Sequence, residues 1–520
     1  MAEQYDIVSQ NTQSTVVSHY EKPDVACETS YQSEQDLERD LIERLQRQGY
    51  EYLPIRQEAE LVANLRRQIE RLNRYPFTEG EWQRFFKTEI AREGKGIEDK
   101  ARTIQQDPVK TLRLDDGTDR NIKLIDPKDI HANSTQVINQ YEANDGTHPN
   151  RYDVTILVNG LPLVHIELKR RGVLLKEAFN QINRYGRESF WAGNALFEYV
   201  QIFVISNGTE TKYYSNTTRQ SHIKEQGKGK PGKTRTCHSF EFTSYWSDAG
   251  NHILGDLEDF TATFFSRHTL LNVLTRFCVL TEQKILMAMR PYQIAATERL
   301  LNRIEVAHNA RLYGTRDAGG YVWHTTGSGK TLTSFKAAQL ATKFPYIDKV
   351  LFVVDRKDLD YQTMKEYDRF QKGAANGNTS TKELERQIGH PKSKIIITTI
   401  QKLATYVKRN PQSKFYQKEV VMIFDECHRS QFGDMHRLIT KRFKKYYLFG
   451  FTGTPIFAEN VSAGRGIYKT TEDVFGHRLH TYTIVDAIRD HNVLPFRVDY
   501  VRTMKEKEEV DDPHTSAAKQ

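Results

Sequence analysis

The stretch Tyr321-Val322-Trp323-His324-Thr325-Thr326-Gly327-Ser328-Gly329-Lys330-Thr331 sets an apolar run ahead of a glycine-rich loop and the start of a helical pattern. A triphosphate carries several negative charges. Its cradle therefore needs backbone N–H groups that approach without side-chain interference, a lysine for the outer phosphates and a hydroxyl for magnesium. Gly327, Gly329, Lys330 and Thr331 supply those parts, and Thr326 and Ser328 complete the loop. The strict pattern has glycine where His324 stands. Residues 320–323 read as a short buried strand, and 330–342 as a helix whose N-terminus faces the anion.

Downstream, apolar runs predict strands at 349–355, 394–399, 420–424 and 446–451, with helical spacing between them, which is the pattern of a parallel sheet with crossovers. Open α/β sheets bind ligands at the carboxyl ends of their strands. Val420–Phe424 leads into Asp425-Glu426-Cys427-His428. Asp425 suits a magnesium ligand, and Glu426 suits the orientation of water attacking the γ-phosphate. His428 either couples this site to the DNA side or caps the strand. Thr452 and Thr454, in Phe451-Thr452-Gly453-Thr454-Pro455, bring two hydroxyls toward the same crevice. Upstream, Gln293 in Arg290-Pro291-Tyr292-Gln293 offers a donor and an acceptor that suit an adenine edge.

A second informative stretch runs from Arg151 to Lys169, where two β-branched runs flank Asn159-Gly160 as a hairpin. Glu167 and Lys169 are two apart on the second strand, so both point to one face. With Asp153 they offer hard carboxylate oxygens to Mg2+ and a lysine to position or activate water, the parts of a magnesium-dependent phosphodiesterase. Strand parity constrains this reading. A regular two-residue turn would set Asp153 opposite Ile166, so a shared metal site requires a longer loop or a β-bulge, and Pro162 makes an irregularity there reasonable. Gln181 and Tyr185 lie four apart on the predicted helix at 176–188 and share a face.

Elsewhere the chain reads more plainly. An irregular arm precedes a helix capped by Ser33, and a polar helix follows near 58–72. Glu38 reads as part of a solvated helix face. Residues 197–206 read as a strand, and the basic glycine-rich loop at 224–235 suits a phosphate backbone. The 520 residues are too many for one core. Net charge is +8, which favours a polyanion, and the four cysteines have neither metal nor disulfide spacing. There is no membrane-length apolar run and the N-terminus is acidic, so the expected compartment is the cytoplasm, without a membrane.

Asp153 with Glu167-Leu168-Lys169 resembles the PD-(D/E)xK nucleases, with Tyr152 at the position of the family's proline. The Gln181 and Tyr185 pair resembles the Gln-x-x-x-Tyr element that faces the site in several members. Gly-Ser-Gly-Lys-Thr, Asp-Glu-Cys-His and Thr-Gly-Thr-Pro are similar to motifs I, II and III of superfamily 2 helicases, and Trp323-His324-Thr325-Thr326 also resembles the family that joins the two. Together they resemble the restriction and motor subunit of type I restriction-modification enzymes, over roughly 33–500. That resemblance implies an α/β endonuclease domain at 1–265, a RecA-like motor lobe at 266–480 with a parallel sheet, and a connector into a second lobe at 481–520. It further implies ATP and Mg2+ as cofactors, duplex DNA as substrate, and DNA methyltransferase (modification) and specificity subunits as partners. A free-standing helicase-nuclease and a non-catalytic binding module are the alternative functions. Since motifs I to III belong to the first lobe, residues 1–520 by themselves are expected to bind nucleotide weakly, with little DNA-stimulated ATPase.

Overall fold

The computed structural model describes residues 15–22, 32–217, 239–354, 381–391, 393–429, 434–458 and 470–493. The basic loop at 224–235 and Cys27 and Cys237 lie outside them, as do residues 494–520 of the connector. Two six-stranded sheets organise the chain. In the first, β1 (Glu51–Tyr52), β4 (Thr135–Ala143), β5 (Asn150–Val158), β6 (Leu161–Leu168), β7 (Ile202–Ser206) and β8 (Thr211–Ser215) lie side by side in that order. The hairpin of β2 (Val109–Arg113) and β3 (Asp119–Lys123) stands apart. The sheet is mixed: β4, β5 and β6 are antiparallel neighbours, whereas β6 and β7 run parallel through the crossover helix Leu175–Glu188.

All eight residues of β6 are buried, as a central strand covered on both faces requires. The helix Glu34–Arg47 contributes Leu37, Leu41 and Leu45 to this core, and Ser33 caps it by accepting from the Asp36 amide. Glu38 departs from the solvated face expected of it. It is buried and accepts from the side-chain amides of Asn139 and Gln140, an environment set by a strand about a hundred residues away. The 58–72 helix also proves amphipathic, with Leu61, Leu65 and Ile69 fully buried. The strand expected at 197–206 begins only at Ile202, because Leu196–Tyr199 winds into a 3-10 turn under the sheet.

The hairpin resolves the parity question. Asn159 and Gly160 both have positive φ, 51° and 81°, the geometry of a two-residue turn matched to strand twist. A Cβ on Gly160 would lie 2.6 Å from the Leu65 Cα, so only glycine fits. Val158 faces Leu161 and Leu157 faces Pro162, but Ile156 faces Val164. Leu163 is thus the extra residue of a β-bulge. Counting on from the Val154 and Ile166 pair brings Asp153 opposite Glu167.

A short hairpin, β9 (Cys278–Leu280) with β10 (Leu286–Ala288), leads to the second sheet. Its strands β11 (Gly320–His324), β12 (Lys349–Val354), β13 (Ile395–Thr399), β14 (Glu419–Phe424), β15 (Lys445–Thr452) and β16 (Arg478–Tyr482) are all parallel, in the order β13-β12-β14-β15-β11-β16. One apolar core continues from Leu37 through Phe264 and Leu271 to Val322 and Phe449, joining both sheets. The arm at 15–22 reinforces the junction, since the Val16 and Val17 amides donate to the half-buried Glu298 on the helix Pro291–Asn309. Among the described residues no helix is long and apolar enough to cross a membrane.

Candidate nuclease and nucleotide sites

The bulge brings three sequence-predicted residues together. Asp153 Oδ2 accepts from the Leu168 amide at 2.9 Å, pinning the carboxylate beside β6. Lys169 Nζ lies 3.2 Å from Glu167 Oε1 and 2.8 Å from the Leu168 carbonyl. Glu34 Oε1, at the start of the first helix, stands 3.9 Å from the same ammonium. Nothing local in the sequence signals Glu34, which reaches the site only through the packing of that helix on the sheet.

Glu167 is fully buried, and its Oε2 has no hydrogen-bond partner. A buried unpaired carboxylate oxygen costs several kcal/mol unless a cation meets it. Burial pushes the Asp153 carboxyl up to about 8, with the neighbouring charge of Glu167 adding to it. Burial pushes Glu167 up to about 7, opposed by the Lys169 ammonium. Two neighbouring hard carboxylates, with the Oε2 oxygen of Glu167 left bare, fit a divalent cation.

On the helix Leu175–Glu188, Gln181 Nε2 donates to the Tyr185 hydroxyl, which donates to the Arg151 carbonyl at 3.0 Å. Burial raises the Tyr185 phenol well above its ordinary range, and the Glu167 charge adds to this, so the tyrosine stays protonated beside the carboxylates.

At the second sheet, adjacency of β14, β15 and β11 sets the three strand-end motifs side by side. Gly327 and Gly329 take positive φ, 81° and 77°, and Lys330 opens the helix Lys330–Ala341. Lys330 Nζ lies 3.4 Å from Glu426 Oε1. His428 Nδ1 stands 3.6 Å from Glu426 Oε2 and 2.9 Å from Thr452 Oγ1, which also accepts from the Thr454 amide at 3.0 Å. Asp425 Oδ1 accepts from the Glu426 amide. His428 therefore ties the second motif to the third, the link that neither of its sequence-level readings contained. Thr331 lies at the first turn of the helix, and Thr326 is exposed on the loop. His324 ends β11 fully buried, its Nε2 3.0 Å from His480 Nδ1, which accounts for a histidine where a glycine was expected.

Gln293, read from the sequence as suiting an adenine edge, is tied to the chain's own loop. Its Oε1 accepts from the Arg290 amide and its Nε2 donates to the Ser328 carbonyl at 2.9 Å, so both ends of the amide are engaged within the chain. Tyr292 donates to the same carbonyl at 2.8 Å and stacks on Tyr482 with ring centroids 3.6 Å apart. Both residues brace the loop from beneath, and the short motif that flagged Gln293 held Tyr292 as well. Gln293→Ala should therefore cost about 1–3 kcal/mol of stability through the unpaired Arg290 amide, and weaken ATP and GTP equally. Denaturant melts and paired nucleotide titrations check this. Lost ATP preference with stability intact would restore the adenine role.

The family model for the type I restriction enzyme R protein N terminus matches residues 31–222, and that for the SWI2/SNF2 ATPase matches 292–519. The chain is 43% identical over 486 residues to the type I restriction enzyme SauMSSORF170P endonuclease subunit of Staphylococcus aureus (strain MSSA476), covering 92% of this chain and 48% of that relative. It is 52% identical over 284 residues to the type I restriction enzyme EcoprrI endonuclease subunit of Escherichia coli, covering 54% of this chain and 86% of that relative. Among solved structures, the Sulfolobus solfataricus SWI2/SNF2 ATPase core in complex with dsDNA aligns at 18% identity over 35% of this chain and 34% of that one, with a TM-score of 0.26. The chain spans about half the length of the Staphylococcus relative. A nuclease fold followed by a RecA-like lobe is thus common to the family models and the two sheets. With 86% of the Escherichia coli subunit matched at 52% identity, the chain belongs to the endonuclease subunits of type I restriction enzymes.

Proposed function

We propose that this chain carries the DNA-cutting centre and the first ATP-binding lobe of a type I restriction enzyme. In this reading it cuts duplex DNA away from a site that specificity and modification subunits recognise. The division falls near residue 265, with nuclease before it and motor after it. The observation that carries the reading is the presence in one chain of two built centres, Asp153 level with Glu167 and Lys169 on the first sheet, and Lys330 against Glu426 on the second.

Asp153 and Glu167 would hold Mg2+ at the nuclease centre, and Thr331 and Asp425 would hold it with ATP. Bound Mg2+ supplies Lewis acidity at a phosphate and lowers the pKa of water. Lys169 offsets charge on the scissile phosphate and orients the attacking water, while protonated Tyr185 keeps Gln181 turned toward the site. In the motor, the Gly327 to Gly329 backbone and Lys330 bind the phosphates. Glu426 orients water toward the γ-phosphate, and the His428 and Thr452 contact holds Glu426 in line with the third motif.

The test is plasmid cleavage by the full-length protein assembled with its modification and specificity subunits. Linearisation of unmodified plasmid should require both ATP and Mg2+. Equal cutting without ATP would overturn the reading.

The carboxylate pair also sets a pH dependence. Because Asp153 and Glu167 sit near 8 and 7, a divalent cation must displace protons held at neutral pH. Mn2+ affinity should therefore rise from pH 6 to 8.5, by up to about tenfold per unit for each displaced proton. Isothermal titration across that range measures it, and a flat profile would show the pair ionised throughout.

A further inference from the structure

Two residues before Glu167 on β6 stands His165, fully buried and so far without a role. Its Nδ1 lies 3.2 Å from the hydroxyl of Thr155, its cross-strand partner. Its Nε2 lies 3.5 Å from Glu167 Oε2. Each of those last two atoms is buried with no hydrogen-bond partner. Buried polar atoms are nearly always paired, and leaving one bare costs about 1–3 kcal/mol. Here a ring nitrogen and a carboxylate oxygen, both bare, face one another inside an otherwise apolar strand. Tyr152, Phe190, Phe203 and Tyr185 meet the imidazole edge-on with centroids 5.6 to 6.2 Å away, a cage that fixes the plane of the ring.

We propose that His165 is a positioning residue of the nuclease centre: Thr155 sets its tautomer, and its Nε2–H is directed at Glu167 Oε2, fixing how that carboxylate faces the cation. A hydroxyl donating to Nδ1 leaves the ring proton on Nε2. Lys169 already donates to Glu167 Oε1. With one N–H on each oxygen, the carboxylate keeps one lone pair per oxygen for a metal and loses its freedom to rotate.

The inference rests on the nuclease reading above, and Mn2+ binding to the full chain without nucleotide, followed by electron paramagnetic resonance, separates the two. His165→Leu should weaken Mn2+ binding about 10- to 100-fold, the range for partners that orient metal ligands. His165→Gln retains an N–H donor and should recover most of that loss. Thr155→Val, which keeps shape and removes the hydroxyl, should weaken binding several-fold and serves if His165→Leu does not fold. A purely packing role predicts instead that Leu and Gln lower the melting temperature while Mn2+ affinity stays put, and that result overturns the proposal. Glu167→Gln is the reference. If it loses Mn2+ while His165→Leu and Thr155→Val do not, His165 has no positioning role. If Glu167→Gln itself binds Mn2+ normally, the nuclease reading falls and this inference with it.

Discussion

Lys330→Ala is expected to lower ATP turnover of the assembled enzyme by roughly 10²- to 10³-fold, the cost of removing one pre-placed charge from a transition state. The lysine is nearly buried at the head of its helix, with its ammonium 3.4 Å from Glu426. Alanine removes the cation for the outer phosphates. It also leaves Glu426 facing those phosphates unopposed, so binding and turnover suffer together. DNA cutting should fall in parallel, because in the proposed enzyme cutting away from the recognition site depends on ATP-driven movement. Phosphate release and plasmid linearisation, measured on one preparation, report both. Undiminished ATP turnover would remove the second sheet from the mechanism.

Lys169→Ala should divide the two activities. Cutting should drop by roughly 10²- to 10³-fold while DNA-stimulated ATP turnover persists. Among the described residues the ammonium is bound only within the nuclease centre, by Glu167, the Leu168 carbonyl and, at longer range, Glu34. Its loss removes the ammonium that opposes the rise of the Glu167 carboxyl, so protons compete harder with the cation and metal affinity at neutral pH should decline as well. A Lys169→Ala enzyme that neither cuts nor hydrolyses ATP would show that the first sheet governs the motor, contrary to the division proposed here.

Much of this architecture was legible because it is written in short-range patterns. Alternating and continuous apolar runs marked β11 to β15 to within a residue or two, and an irregularity near Pro162 followed from strand parity once Asp153 and Glu167 were asked to share a face; the bulge stands one residue on, at Leu163. Contacts between distant segments left no such trace. The strand order that sets β14 and β15 beside β11 depends on how crossovers pack, and local periodicity says nothing of it. Glu38 looked solvated because its partners Asn139 and Gln140 are on a strand far along the chain. Gln293 looked free because the carbonyl it holds belongs to the loop 35 residues on. His165 was visible in principle, two residues from Glu167 and so on its face. A lone histidine in an apolar run is usually core, and only the two facing bare atoms distinguish it.

The bulged residue Leu163 has a consequence for how the hairpin can change length. From the turn, the pairs read Val158 with Leu161 and Leu157 with Pro162, then resume at Ile156 with Val164. Removing Leu163 would therefore straighten the ladder yet leave every later pairing intact, with Asp153 still across from Glu167. Removing one residue between Val164 and Ile166 would shift Asp153 off Glu167 unless the bulge closed to compensate. The hairpin thus has one place where its arithmetic is forgiving. There β6 can lose a step without the carboxylates losing sight of each other.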